Sequence, residues 1–174
     1  MAHDSPIKAD FKMAPDAIYF VPLGGCGMFG ANMALYGYQG QWIMVDCGMG
    51  FADETMPGVD VLLPDPSFAV ALGDKLLGIV LTHGHEDHIG AIRELWPRLK
   101  KPMYATKFTA GRIGMALSEH SWGSQAHVNE VPPRGRLELG PFNIQFIRMA
   151  HSIPEANSLA ITVKEVGTVL HTGD

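Results

Sequence analysis

Apolar residues recur in short, closely spaced runs along most of the chain, and the spacing turns helical only between about residues 89 and 120. Residues 18–23, with Ile18, Tyr19, Phe20, Val21 and Leu23, predict a first strand. Residues 33–38 and 41–46 predict two more, joined through Gln39 and Gly40 as a hairpin. Residues 51–66, broken by Pro57, Pro64 and Pro66, predict a long loop, and such loops in small domains are often functional. The run 76–81 is a buried-strand type, and residues 89–96 carry helical spacing that Pro97 is expected to stop. A short strand leads up to Ala105. Phe108, Ile113, Met115, Ala116 and Leu117 then suit a helix between Thr106 and His120, with Thr106 or Thr109 as its N-cap. Residues 127–131, 136–139, 142–149, 158–163 and 168–170 return to strand patterns between Pro, Gly and Asn turns. Strands early and late with helices between them predict an α/β layer fold, a mixed sheet with helices on one face, rather than a regular βαβ repeat.

Composition adds boundaries to that picture. At 174 residues, 47% hydrophobic and 18% charged, the chain suits one globular unit with a real core. Residues 1–16, polar and carrying Pro6 and Pro15, predict a flexible arm, and 17–174 the domain. A formal charge of −5 advertises no global nucleic-acid or anionic-membrane surface. Cys26 and Cys47 read as reduced thiols, and neither a signal-peptide core nor an 18-residue apolar run is present, so the expected location is cytoplasmic with no membrane partner. The cluster Gly24, Gly25, Gly27 and Gly30 lacks a Gly-Lys-Ser/Thr ending and opens no helix. It predicts a tight turn where backbones approach closely.

Candidate chemistry concentrates at strand exits. The segment Leu81 to Gly90 places His83, His85, Asp87 and His88 within six residues, between a buried strand and a helix. In an extended loop His83, His85 and Asp87 share a side while His88 turns away at the helix entry, so one segment can serve two cations. Two other strand runs end near His151 and near His171 and Asp174, and a third ends on Asp46. Imidazole and carboxylate together suit Zn²⁺, Mn²⁺ or Fe. Asp46, costly to bury unpaired, is expected to support the loop from behind, with His171 in a similar role. Ser152 and Glu155 are candidates to orient His151 or to meet substrate.

The run His83-Gly84-His85-Glu86-Asp87-His88 resembles the HxHxDH signature of the metallo-β-lactamase superfamily, with Asp46, His151 and Asp174 at its other motif positions. Several further segments are similar to the N-terminal part of bacterial ribonuclease J across residues 18–174: Leu23-Gly24-Gly25, Asp53-Glu54-Thr55-Met56-Pro57-Gly58-Val59-Asp60, His151-Ser152-Ile153-Pro154-Glu155 and His171-Thr172-Gly173-Asp174. The resemblance implies an αββα sandwich of which this chain is the N-terminal half. It implies a metal-dependent RNA phosphodiester hydrolase, endonucleolytic and 5′-exonucleolytic, with RNA as partner. His83, His85 and His151 would hold one divalent ion, Asp87 and His88 the other, and Asp174 would bridge. Asp87, His88 and Asp174 would carry the catalysis. The family's usual Glu in the glycine turn is replaced here by Met28.

The family also continues past this point into a β-CASP insertion and a further metal-ligand histidine. The expectation is therefore a fragment truncated before that insertion, retaining one ion or none, with an open sandwich face that drives self-association. Two alternatives stand beside the nuclease: a thioester or lactam hydrolase of the same superfamily, and a metal-binding, self-associating fragment without turnover.

Overall fold

Two residues with left-handed backbone, Gln39 (φ 46°) and Gly40 (φ 79°), make the tight turn that sets the register of the first hairpin. It joins β2 (Met33–Tyr38) to β3 (Gln41–Val45), with Tyr38 opposite Gln41 and Ala34 opposite Val45. Every residue of β2 is buried, so the strand is covered on both faces and alternation cannot show in its sequence. The computed structural model describes residues 12–174. Of the arm expected over 1–16, residues 1–11 lie outside the described residues. Met13 packs on the core and its sulfur accepts from the Gly40 N–H at 3.1 Å.

The remaining strands are β1 (Tyr19–Gly24), β4 (Gly50–Phe51), β5 (Val61–Leu62), β6 (Leu76–Val80), β7 (Met103–Ala105), β8 (Val128–Glu130), β9 (Arg136–Leu139), β10 (Phe142–Arg148), β11 (Asn157–Val163) and β12 (Gly167–His171). The helices are α1 (Ser67–Ala71), α2 (Glu86–Ile89), α3 (Ile92–Leu99) and α4 (Lys107–Ser118). A six-stranded sheet runs β1-β2-β3-β6-β7-β8, antiparallel through β3 and parallel beyond it. A four-stranded antiparallel sheet runs β12-β11-β10-β9. The mixed sheet expected from the pattern is present. The long loop of residues 51–66 contributes the small β4-β5 pairing.

Side chains alternate between two cores. Met33, Leu35, Trp42, Met44 and Leu81 face the helices, where Leu95, Leu99, Ile113 and Leu117 meet them. Tyr36, Ile43, Val45 and Val80 face the other way and pack on Phe142, Ile144, Phe146, Leu159 and Ile161 of the second sheet. The layers are therefore helix, sheet, sheet. This corrects the expected open sandwich face: β9 to β12 already cover it, and the self-association argued from that face loses its basis.

Pro97 does not stop the helix, which continues to Leu99. Its missing N–H forfeits one bond, to the Arg93 carbonyl, while Ile92, Leu95, Trp96 and Leu99 bury the same face. The stop comes at Lys100, whose left-handed backbone (φ 49°) lets its N–H reach the Trp96 carbonyl at 2.7 Å.

Candidate metal centre

The ligand-bearing loop is fastened along its backbone before any side chain is considered. Asn32 N–H donates to the Asp87 carbonyl at 3.0 Å, Cys47 N–H to His88 at 2.8 Å and Met49 N–H to Glu86 at 3.0 Å. Gly48 lies so close that a Cβ there would stand 1.6 Å from the Asp87 oxygen, so this position accepts glycine alone. The expected close approach at the glycine turn is also real, since a Cβ at Gly24 would stand 2.0 Å from the Ala31 carbonyl.

Asp46 leaves β3 in the left-handed region (φ 60°), 1% exposed, and turns its carboxylate onto the loop. It accepts from the Thr82 N–H at 2.8 Å, from the Thr82 hydroxyl at 2.9 Å and from His88 Nδ1 at 2.7 Å. Burial pushes its pKa up, but the charge and hydrogen bond of His88 and the Thr82 N–H hold it below the usual carboxylate range. Burial pushes His88 down, while Asp46, Asp174 and Asp87 together lift it to about 9. Behind this pair His171 Nε2 lies 4.0 Å from Asp46, and its Nδ1 meets the Tyr36 hydroxyl at 3.0 Å. Burial lowers the pKa of His171 despite Asp46.

In front of it two groups of ligand atoms converge. His83, His85 and His151 offer nitrogens that all lie within 4.8 Å of one another, and so do the ligand atoms of His83, His88 and Asp174. His83 Nε2 is 3.2 Å from His85 Nδ1, which is 3.1 Å from His151 Nε2. The Thr82 hydroxyl meets the other nitrogen of His83 at 3.0 Å and fixes the ring. Burial, then His88, pushes His83 down to about 4, so the ring is neutral at neutral pH and one of its nitrogens offers a lone pair. His85 is lowered by burial and by His151. Asp174 faces both groups, with one oxygen 3.2 Å from His88 Nε2 and the other 3.9 Å from His151 Nε2. Asp87 Oδ2 lies 3.5 Å from His88 Nε2. Three imidazoles aimed at one point, beside a second point lined by imidazole and carboxylate, are a donor set that fits borderline divalent cations.

All six residues expected as ligands are thus gathered, with Asp46 and His171 behind them. Ser152 is exposed in the cleft beside His151. Glu155 also lines that cleft, and one oxygen of its carboxylate accepts the Phe108 N–H at 2.9 Å, capping the start of α4. Thr106 stands at the N-cap position but makes no side-chain cap there. Glu155→Ala should lower stability by about 1 kcal/mol, which a thermal melt would register as a fall of roughly 2–4 °C. An unchanged midpoint would show that the cap contributes nothing.

Two residues escaped the sequence reading. The Asn32 amide nitrogen lies 3.1 Å from His88 Nε2 and 3.4 Å from Asp87 Oδ2. Its signal was an amide directly after the glycine turn. Glu86, the variable residue inside the motif, pairs with Arg112 of α4 at 2.8 Å and ties the loop to that helix. Cys47 is an inert thiol, its pKa pushed up to about 12 by burial and then by Asp46.

Comparison with known proteins agrees with this geometry. Ribonuclease J of Sinorhizobium meliloti is 43% identical over 172 residues, covering 96% of this chain and 30% of that protein. Ribonuclease J of Helicobacter pylori is 40% identical over 159 residues, covering 91% of this chain and 23% of that protein. The chain therefore spans between about a quarter and a third of the length of these relatives. Among solved structures, the metallo-beta-lactamase fold protein YhfI from Bacillus subtilis superposes with a TM-score of 0.62 at 20% identity, covering 90% of this chain and 62% of that one. That likeness concerns the fold. A family model described as the metallo-beta-lactamase superfamily matches residues 26–174. Because that match takes in most of the chain and every strand-end ligand from Asp46 to Asp174, the chain belongs to the metallo-beta-lactamase superfamily.

Proposed function

We propose that this chain carries the metal-binding half of a ribonuclease J-like RNA phosphodiester hydrolase acting in the cytoplasm. The observation that carries the reading is the pair of ligand groups sharing His83 and facing one carboxylate, Asp174. His83, His85 and His151 would hold one divalent ion, His88 and Asp87 the second, with Asp174 within reach of both groups. Zinc suits the three-histidine group best, and manganese suits the carboxylate-rich one. Such ions supply Lewis-acid charge that activates a water and stabilises a phosphoryl group in in-line displacement.

The chain's own groups do the rest. Asp46 holds the Nδ1 proton of His88, which would leave Nε2 as the nitrogen to meet a second cation. The Thr82 hydroxyl orients His83. Asp174, exposed and within 4 Å of both His88 and His151, would be the carboxylate available to both ions. The cysteines Cys26 and Cys47 are unpaired, which agrees with a reducing compartment. Among the described residues no helix is long and apolar enough to cross a membrane.

The test is incubation of the chain with 5′-monophosphorylated single-stranded RNA and, separately, a thioester, each with Mn²⁺, Zn²⁺ or EDTA. Metal-dependent shortening of the RNA with the thioester untouched is the expected result. Thioester turnover without RNA cleavage would reassign the chain to another hydrolase of the superfamily. Metal uptake with neither reaction would leave it a binding fragment.

A further inference from the structure

Beside His151 an open cleft of about 760 Å³ is lined by Arg134, Arg148, His151, Ser152 and Glu155, among others. Arg148 reaches it from the end of β10 and Arg134 from the turn just before β9. Gln145 pairs with Arg136 and the Phe146 N–H donates to the Gly135 carbonyl at 3.0 Å, so Arg134 and Arg148 follow at the same end of β9 and β10. Like charges so placed repel one another. Among the described residues the arginine ion pairs are those of Arg93 and Arg112, and neither Arg134 nor Arg148 has a carboxylate partner. Glu155, the carboxylate of the cleft, is engaged by the Phe108 N–H. The cleft therefore sets two guanidinium groups, neither in an ion pair, against the single carboxylate of Glu155, next to the candidate metal centre of a chain of net charge −5.

Arg134 also holds a left-handed backbone (φ 60°), where Gly or Asn would be easier. A bulky residue in that region costs about 1 kcal/mol or more. Arg148 precedes His151 by three residues, so an extended backbone separates them by at most about 10 Å.

We propose that Arg134 and Arg148 form a phosphate-binding subsite that positions the RNA strand one or two nucleotides from the scissile bond. The proposal rests on the nuclease reading above. Guanidinium forks suit phosphate oxygens by paired hydrogen bonds, and the cleft opens directly onto the ligand His151. The arginines are positioning residues: they bind substrate and transition state alike, so they lower KM without raising the chemical rate.

The experiment is fluorescence anisotropy of a labelled single-stranded RNA decamer with the chain in EDTA, across a salt series, so that binding is read without turnover. R134A/R148A should bind about tenfold more weakly, and its slope of log affinity against log salt should fall by about 1.4, near 0.7 per lost phosphate contact. R134K/R148K should keep most of the slope, and R93A, whose arginine is ion-paired, should match wild type. In the metal-loaded chain R134A/R148A should raise KM with kcat held within twofold. Thermal melts of each variant separate binding from folding, and the single substitutions R134A and R148A serve if the double one unfolds. Equal affinity and equal slope in R134A/R148A, or a wild-type chain that does not bind RNA, overturns the subsite. Binding that depends on both arginines in a chain that never cleaves RNA upholds the subsite and sinks the nuclease reading instead.

Discussion

His83→Ala is expected to strip the centre of its divalent ions and to slow RNA hydrolysis at least a thousandfold, equivalent to about 4 kcal/mol of transition-state stabilisation. His83 is the ligand common to both groups, so its loss touches both positions at once. It is 1% exposed, its pKa is driven down to about 4 and its ring is fixed by the Thr82 hydroxyl, so no neighbour can rotate in as a substitute. His120→Ala, at a ring that stacks on Trp122 away from the loop, is the matched control and should leave metal content and rate unchanged. Elemental analysis of the purified chain reads the first effect and RNA shortening the second. Full metal retention with a rate within tenfold of wild type would refute the assignment.

The site was more legible than the architecture around it, for a physical reason. Ligand chemistry needs particular residue types at strand exits, and the HxHxDH spacing shows this directly. His151 and Asp174 follow strand runs in the same manner. Supporting contacts leave weaker traces. Asn32 and Glu86 act through three-dimensional neighbours, 55 and 26 residues from the partners they meet. Glu155 caps the start of α4 from 47 residues away, a contact that leaves no local trace in the sequence. The hairpin of β2 and β3 could be read from Gln39 and Gly40 because turn geometry is local. The covering of the first sheet by the second could not. Phe142, Ile144 and Phe146 declare that one face of β10 is buried, but not that it meets Tyr36, Ile43 and Val45. Pro97 misled because the rule against proline in helices concerns one lost bond, and four buried side chains of α3 outweigh it.

Asp46 separates a structural loss from a metal loss. Its carboxylate satisfies the Thr82 N–H, the Thr82 hydroxyl and His88 Nδ1, all in a buried setting. Asp46→Ala leaves His88 without its counter-charge, and breaking a buried pair by removing one partner costs about 3–5 kcal/mol. The urea midpoint should fall accordingly. Asp46→Asn keeps the volume and an acceptor for Thr82 but can set its amide N–H against His88 Nδ1. In the wild type Asp46 keeps the proton on Nδ1, so a cation would displace the one on Nε2; in Asp46→Asn Nδ1 must accept, the remaining ring proton is held on Nε2, and the nitrogen that faces Asp174 and Asp87 has no lone pair to offer. That variant should fold with a smaller stability loss yet bind its second ion on the order of 10–100-fold more weakly, while the His83, His85 and His151 group fills normally. Calorimetric titration with Mn²⁺ distinguishes the two positions. Undiminished binding at both in Asp46→Asn would mean that Asp46 does not set the tautomer of His88.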